Sequence, residues 1–173
     1  ARVPALSVFM DFTVCTGLRL DEAVNSYRLI VELGEDGKLG AYYNPERQVL
    51  EHFRFRKIFI RRTKKAYMSF ASTALIDAVQ KSGLYPTHDV IHKRMQRAGL
   101  NIRFSDLREL YASYSVKHLK QPEIDFLQGR VSSSVFMQNY FNPTWISGLK
   151  KRALKNGKEL MKMAPINLKS LLN

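Results

Sequence analysis

The first residue of this sequence whose type and position indicate a chemical role is an arginine. It follows a glycine-marked break between two helical segments. The stretch Thr16-Gly17-Leu18-Arg19 is preceded and followed by apolar residues at helical spacing, which predicts two helices that meet at the glycine. At the start of the second helix the guanidinium group lies beside free backbone N–H groups, and both favour an anion. The residue types and their spacing therefore predict that Arg19 binds a phosphate group.

The elements that must position this arginine follow from the periodicity of the rest of the chain. The pattern predicts an α+β fold that is mainly α, with a small antiparallel sheet near the N-terminal third. Short strands are expected over 39–43, 57–60 and 66–70, with a hairpin turn at 63–65. Helices are expected over 4–33 (two, broken at 16–19), 73–81, 87–99, from 105 to about 118, from 122 to about 129, 131–141, and from 143 onward.

The net charge of +13 and the pI of about 10.0 favour a polyanionic partner, of which nucleic acid is the commonest. Basic residues alternate with Phe53, Phe55, Phe59 and Tyr67, which predicts a strand with one basic face toward DNA phosphates or toward solvent. A second basic cluster follows near the C-terminus. The residues that we expect to bind DNA are Arg54, Arg56, Arg61, Arg62, Lys65, Lys150, Lys151 and Arg152.

The cysteine content and the hydropathy of the sequence indicate where in the cell such a protein works. Cys15 is the single cysteine, so an internal disulfide is excluded, and its apolar surroundings favour a small core residue. The sequence shows neither a signal-peptide pattern nor an apolar run that could span a bilayer. We therefore expect an intracellular protein, in the cytoplasm or nucleoid of a host cell, without contact with a membrane.

Further motifs follow the first in a fixed order along the chain. Thr-Gly-Leu-Arg-Leu-Asp-Glu at 16–22 is followed by the lysines of the expected hairpin and by Asp-Leu-Arg at 106–108. Leu-Gln-Gly-Arg at 127–130 comes next, with Tyr140 ten residues after Arg130. This order resembles the catalytic domain of tyrosine recombinases, the phage-type integrases and Xer-like resolvases, over residues 4–141. The sequence is most similar to integrases of archaeal viruses and plasmids.

The resemblance implies a site-specific recombinase that cuts and rejoins DNA through a 3′-phosphotyrosyl intermediate, with neither metal nor ATP nor another cofactor. Tyr140 would attack the scissile phosphate, and Arg19 and Arg108 would hold its non-bridging oxygens. Lys64 would protonate the leaving oxygen, with Lys65 and Arg62 as alternatives, because the register of the hairpin is open.

Two positions depart from the family pattern. Ser105 stands where the family has a histidine, and a serine hydroxyl donates a hydrogen bond to phosphate but is a poor base. Arg130 stands where histidine or tryptophan is usual, and it adds a phosphate donor. His88 and His92 have i, i+4 spacing, which is also metal-ligand spacing, but no cysteine or acidic partner is evident for the pair, so no metal site is expected.

The resemblance also implies an assembly. Residues 1–141 would form the catalytic domain, and 142–173 a basic helical segment that either exchanges between protomers or packs on its own core through Trp145, Ile146 and Leu149. The N-terminal domain that clamps DNA in the family is not expected in this chain. Duplex attachment sites are the expected partner, with a tetramer on DNA and a monomer or weak oligomer in solution.

Other functions fit some of these features. A relative that binds DNA with impaired catalysis fits Ser105, and a type IB topoisomerase shares the tyrosine chemistry. A basic architectural protein fits the charge alone.

Overall fold

The computed structural model describes residues 4–130 and 143–170, and it is mainly helical with one small antiparallel sheet. The predicted fold class is confirmed at this level. The helices are α1 (Pro4–Thr16), α2 (Leu20–Glu35), α3 (Arg56–Phe59), α4 (Thr73–Lys81), α5 (His88–Arg97), α6 (Phe104–Ser115), α7 (Gln121–Leu127) and α8 (Pro143–Ser170). The prediction of a helix over 131–141 lies outside the described residues.

Helix α1 lies at the centre of the fold and packs against α2, α4, α6 and α8. Its sequence is mostly apolar, which is typical of a helix that is buried on several sides. Phe9 and Phe12 are fully buried, and both rings contact the ring of Tyr27 on α2, at centroid distances of 5.4 and 5.5 Å. This packing fixes the angle at which the chain turns at Gly17.

The sheet is smaller than the sequence predicts. Its three strands, in the order β1 (Tyr43–Asn44), β2 (Val49–Leu50) and β3 (Ser69–Phe70), pair antiparallel with Tyr43 opposite Leu50 and Val49 opposite Phe70. The strand expected over 39–43 is wrong over most of its length, because Leu39–Ala41 form a 3-10 helix. The strand expected over 66–70 is reduced to Ser69–Phe70, and β2 was not predicted. A short apolar run does not distinguish a strand from one turn of helix, which explains these errors.

The predicted strand over 57–60 is wrong. Residues His52–Phe55 form a 3-10 helix and Arg56–Phe59 form α3, so the basic and aromatic residues do not occupy opposite faces of a strand. Phe59 is buried, whereas Phe53 is 39% exposed. The basic face expected in this region is therefore replaced by helical turns that carry separate cations.

Helix α8 covers α1 and the end of α6. Leu149, Ala153 and Leu160 are buried in the two apolar clusters of the protein, and the thiol of Cys15 donates a hydrogen bond to the carbonyl oxygen of Gly157 at 3.3 Å. Cys15 is thus a core residue, as predicted, and Leu149 packs on the core of its own protomer. The side chains of Trp145 and Ile146 lie outside the described residues.

A buried ion pair fastens α8 to α7. Arg152 donates two hydrogen bonds to the carboxylate of Glu123, both at 2.6 Å, and Glu123 is 1% exposed. Burial raises the pKa of Glu123, but the hydrogen bonds from Arg152 and from the backbone N–H of Lys120 outweigh it and lower the pKa overall. The carboxylate therefore stays charged inside the protein and needs its cation.

Replacing Arg152 with alanine should lower the free energy of unfolding by about 3 kcal/mol, the low end for a broken buried pair, since Arg152 is partly exposed. Chemical denaturation measures this difference. Lys151→Ala is the matched control. Lys151 is the exposed neighbour of Arg152, so its replacement should change the free energy of unfolding by no more than about 0.5 kcal/mol. The double variant Arg152→Ala/Glu123→Gln should recover part of the loss, and equal losses for Arg152→Ala and Lys151→Ala would contradict the assignment.

Candidate functional site

Arg19 precedes the first residue of α2 and has an extended backbone, as expected for the residue that caps a helix. Glu22, one turn later, accepts a hydrogen bond from the backbone N–H of Arg19 at 3.0 Å and from its guanidinium group at 2.8 Å. The Arg19 side chain is 26% exposed and that of Glu22 is 1% exposed. Glu22 therefore orients Arg19 while leaving part of the guanidinium group accessible to a ligand.

Arg108, on the first turns of α6, joins two loops that are distant in sequence. Its guanidinium group donates to the carbonyl oxygen of Gly17 at 2.8 Å and to that of Gln128 at 2.5 Å. The side-chain amide of Gln128 in turn donates to the carbonyl oxygen of Arg108 at 2.9 Å. These bonds bring Arg108 beside the segment of Arg19 and beside the segment of Arg130.

The positive charges of Arg19 and Arg130 lie close enough to Arg108 to affect its pKa. Burial lowers the pKa of Arg108 to about 10, and the positive charges of Arg19 and Arg130 add to the effect, whereas Glu22 opposes it. Arg108 is still protonated at neutral pH, so the folded protein holds three like charges together at a cost in free energy. A bound anion would remove this cost, and perturbed pKa values of this kind cluster at functional sites.

Gly129 packs the site arginines against the lysine hairpin. It has a φ of +64°, and a Cβ at this position would lie 2.3 Å from the backbone carbonyl oxygen of Lys65. Ile60 pairs with Lys65 in a single antiparallel bridge, and the N–H of Arg61 donates to the carbonyl oxygen of Lys64. The predicted turn is thus present, and it holds Lys64 and Lys65 beside the backbone that leads into Arg130.

The remaining predicted site residues differ in their exposure and in the contacts that they make. Ser105 lies one turn before Arg108 on α6, is exposed, and donates to the carboxylate of Asp106 at 3.3 Å. Lys64 is exposed at the turn of the hairpin. Arg130 is 43% exposed in its side chain and lies 4.0 Å from Asp125. Tyr140 lies outside the described residues.

The expected DNA-binding cations are exposed or half-buried, and several have partners within the protein. Arg56, Arg62 and Lys151 are exposed. Arg152 binds the buried carboxylate of Glu123, so it has a structural role besides the DNA-binding role that the sequence suggests. The observed pairs are Arg54 with Glu51, Arg61 with Asp21 at 4.0 Å, Lys150 with the carbonyl oxygen of Glu46 at 2.6 Å, and Arg152 with Glu123.

Three residues of the site were not predicted as site residues. Glu22 orients Arg19, Gln128 binds Arg108 through both its backbone and its side chain, and Tyr111 packs its ring where a side chain at Gly17 would lie. The acidic residue three positions after a helix cap is a visible signal for Glu22. Gln128 and Tyr111 act through contacts between distant segments, which the spacing of residues does not reveal.

The described residues contain neither a group of metal-binding side chains nor a helix suited to a membrane. Within residues 4–130 and 143–170, no three histidine, cysteine or acidic side chains come together as metal ligands would. In the same residues, no helix is both long enough and apolar enough to cross a bilayer. His88 does have an acidic partner, contrary to what the sequence suggests, because Asp21 lies 3.0 Å from its Nε2.

No protein-family model, curated protein or solved structure matches this chain. The function must therefore be inferred from the site itself.

Gly129→Ala should separate the hairpin from the arginines. It should lower the free energy of unfolding more than a Gly→Ala change at another glycine of positive φ. Gly83→Ala is the matched control, since Gly83 also follows a helix, has a φ of +63° and has open space around it. The control carries only the cost of the left-handed backbone, about 1 to 2 kcal/mol. Gly129→Ala should lose about 1 to 3 kcal/mol more, because backbone atoms must move. Equal unfolding free energies for the two variants would show that the hairpin is not packed there.

Proposed function

We propose that this chain is the catalytic domain of a tyrosine recombinase that cleaves and rejoins DNA strands through a 3′-phosphotyrosyl intermediate. The observation that carries the proposal is that hydrogen bonds of Arg108 join the distant segments that carry Arg19 and Arg130, whose positive charges both act on Arg108. The resemblance of the sequence to tyrosine recombinases implies that the same three arginines bind phosphate. Agreement between the two is the main support.

The arginines suit a single phosphodiester in its transition state. Guanidinium groups stay charged and donate parallel hydrogen bonds, which matches the non-bridging oxygens of a phosphate in trigonal-bipyramidal geometry. Glu22 holds Arg19, and the carbonyl oxygens of Gly17 and Gln128 hold Arg108, so both groups are positioned before the substrate arrives. Donors fixed in advance need no reorganisation as negative charge develops on the phosphate.

The reaction that we propose exchanges one phosphodiester for another. The phenol oxygen of Tyr140 forms a bond to phosphorus, and the bond from phosphorus to the 5′ oxygen breaks. Lys64 gives a proton to the departing 5′ oxygen, with Lys65 as the alternative in the same hairpin, and Ser105 donates a hydrogen bond to the phosphate. Attack by the 5′ hydroxyl of a partner strand reverses these steps, so the phosphodiester bond energy is retained and ATP is not needed.

The partner in this proposal is duplex DNA at attachment sites, and the biological process is the integration of a viral or plasmid genome inside a host cell. Arg56 and Arg62 are exposed near the hairpin and Lys151 is exposed on α8, so each can neutralise backbone phosphate. Binding should therefore weaken as salt is raised. A tetramer would form on two DNA sites, with a monomer or weak oligomer in solution.

Replacing Tyr140 with phenylalanine should abolish a covalent protein–DNA adduct, because the nucleophilic oxygen is removed. The probe is a pool of nicked duplexes with a randomised core, in which the cleaved fragment diffuses away and traps the adduct. Adducts that survive denaturing electrophoresis are counted and sequenced. Tyr85→Phe is the matched control, since it removes the hydroxyl of an exposed tyrosine on the surface and should leave the adduct unchanged.

The outcomes of this experiment separate the candidate functions. An adduct that persists in Tyr140→Phe contradicts the assignment of the nucleophile. A salt-dependent gel shift without any adduct from the unmodified chain indicates a relative that binds DNA with impaired catalysis. Adducts without sequence enrichment, together with relaxation of supercoils, indicate a type IB topoisomerase.

The role of Lys64 can be tested through the leaving group. Lys64→Ala should slow adduct formation by about 100-fold on a normal phosphodiester, the scale of general acid catalysis. A substrate with sulfur in place of the 5′ bridging oxygen should react at the same rate with both proteins, because a thiolate leaves without a proton. Lys65→Ala is the matched variant, and rescue by sulfur of Lys65→Ala but not of Lys64→Ala would reassign the acid. Arg108→Ala should remain slow on both substrates.

A further inference from the structure

The ring of Phe53 is exposed, whereas most large apolar side chains of the described residues are buried or half-buried. It is 39% exposed, and it joins neither of the two apolar clusters that form the core. Within residues 4–130 and 143–170, the guanidinium group of Arg54 lies 5.8 Å from the ring centroid, and no other ring or cation contacts it. The ring is therefore open to a ligand.

The chain on both sides of Phe53 is anchored in the core, so the ring stands on a rigid support. The imidazole of His52 is fully buried and shares a hydrogen bond with the hydroxyl of Tyr42 at 2.7 Å. The ring of Phe55 packs edge to face on Tyr42 at a centroid distance of 5.2 Å. The backbone N–H of Phe53 itself donates to the carbonyl oxygen of Tyr67 at 3.0 Å. A ligand that contacts this ring would therefore immobilise little that is not already fixed.

Positive charges flank the ring of Phe53. The buried carboxylate of Glu51 binds the guanidinium group of Arg54 and so fixes it beside the ring. Arg56 and Lys57 follow directly in the chain, and both are exposed. Proteins that hold single-stranded nucleic acid combine such parts, because cations bind its phosphates while an aromatic ring stacks on a base. The surroundings of Phe53 therefore suit an unpaired nucleotide.

A second exposed ring, that of Tyr85, has different surroundings. It is 45% exposed, and the guanidinium group of Arg28 lies 4.6 Å from its centroid. The carboxylate of Glu32 accepts a hydrogen bond from the Tyr85 hydroxyl, pairs with Arg28, and is 47% exposed. This exposed negative charge would repel a phosphate group, whereas the side chain of Glu51 near Phe53 is only 7% exposed. Tyr85 is therefore a matched comparison for Phe53.

Phe53 also lies close to the lysine hairpin. Its backbone partner Tyr67 follows Lys64 by three residues, so the Cα atoms of Tyr67 and Lys64 lie at most about 11 Å apart. In the proposed reaction Lys64 protonates the 5′ oxygen as it departs, which frees a 5′ strand end near the hairpin. That end must leave its complement before it can attack a partner strand. Its first base then has no pairing partner and has an open face.

We propose that Phe53, with Arg54 beside it, stacks on the unpaired base at the 5′ end of the strand that cleavage releases. This role in strand exchange rests on the proposed function, whereas the stacking site itself rests on the exposed ring, its rigid support and the flanking cations. A base inside an intact duplex is covered on both faces by its neighbours, so the site should prefer a strand end to paired DNA. Stacking holds the released end away from its complement until a partner strand is within reach.

The test measures, by fluorescence anisotropy, how tightly the full chain binds three labelled short duplexes of one sequence. The first has blunt ends, the second has an unpaired adenine at each 5′ end, and the third has one at each 3′ end. The parent should bind the 5′-extended duplex at least about 5-fold more tightly than the other two, the low end for one stacked base. Phe53→Leu should abolish this preference without weakening binding to the blunt duplex, because it keeps the apolar bulk but removes the aromatic face. Phe53→Trp should retain the preference.

Tyr85→Leu is the matched control, since it removes the other exposed ring that an arginine flanks, and it should keep the preference. Both leucine variants should unfold like the parent, because both rings are exposed. The proposal is overturned if the parent binds the three duplexes equally or favours the 3′ extension. It is also overturned if Phe53→Leu keeps the preference or weakens binding to all three duplexes alike, or if Tyr85→Leu loses the preference as well.

The binding test and the trapping experiment with Tyr140→Phe fail independently. A parent that prefers the 5′-extended duplex but forms no covalent adduct contradicts the proposed function and the role in strand exchange, and it leaves a stacking site for unpaired DNA. A parent that forms the adduct without this preference contradicts the stacking site alone.

Discussion

The guanidinium group of Arg108 holds together three segments that are far apart in the sequence. It binds the carbonyl oxygens of Gly17 and Gln128, and the side chain of Gln128 binds the carbonyl oxygen of Arg108 in return. Because Arg19 and Arg130 lie two residues after Gly17 and Gln128, each bond that holds Arg108 also positions a segment that carries another cation. Burial is the main cause that lowers the pKa of Arg108 to about 10, and the positive charges of Arg19 and Arg130 lower it further, while hydrogen bonds to neutral backbone groups hold the guanidinium group in place.

Two glycines set how closely the segments around this arginine approach. At Gly17 the ring of Tyr111 occupies the space that a side chain would need, and at Gly129 the backbone of Lys65 does. Both have positive φ, at +63° and +64°, so backbone conformation and close packing independently favour glycine there. The sequence marks these positions only as breaks between helices, whereas the structure shows that they bring the hairpin and α6 to the arginines.

The sequence predicts the helices of this fold well because their signals are local. The break at Gly17, the starts of α4 at Thr73 and of α5 beside Thr87, and the start of α8 at Pro143 all fall where predicted. The region of 39–60 is predicted poorly, because its short apolar runs fit a strand as well as a helical turn. The helical turns over 52–59 bury Phe59 and His52, and this burial favours them over a strand. For the site, residue type and order suffice to name Arg19, Arg108 and Arg130. Glu22 has a local signal, an acidic residue three positions after the helix cap. Gln128 and Tyr111 depend on contacts between distant segments, which spacing does not encode.

The contact between α1 and α8 has a consequence for how the protein is made. Cys15 and Gly157 meet although 142 positions separate them, and α8 covers the central helix of the fold. During translation α1 leaves the ribosome before α8 has been synthesised, so the part of α1 that α8 covers in the folded protein remains in contact with water. Native closure must therefore wait until α8 has been made, which slows folding and makes the nascent protein a natural client for chaperones.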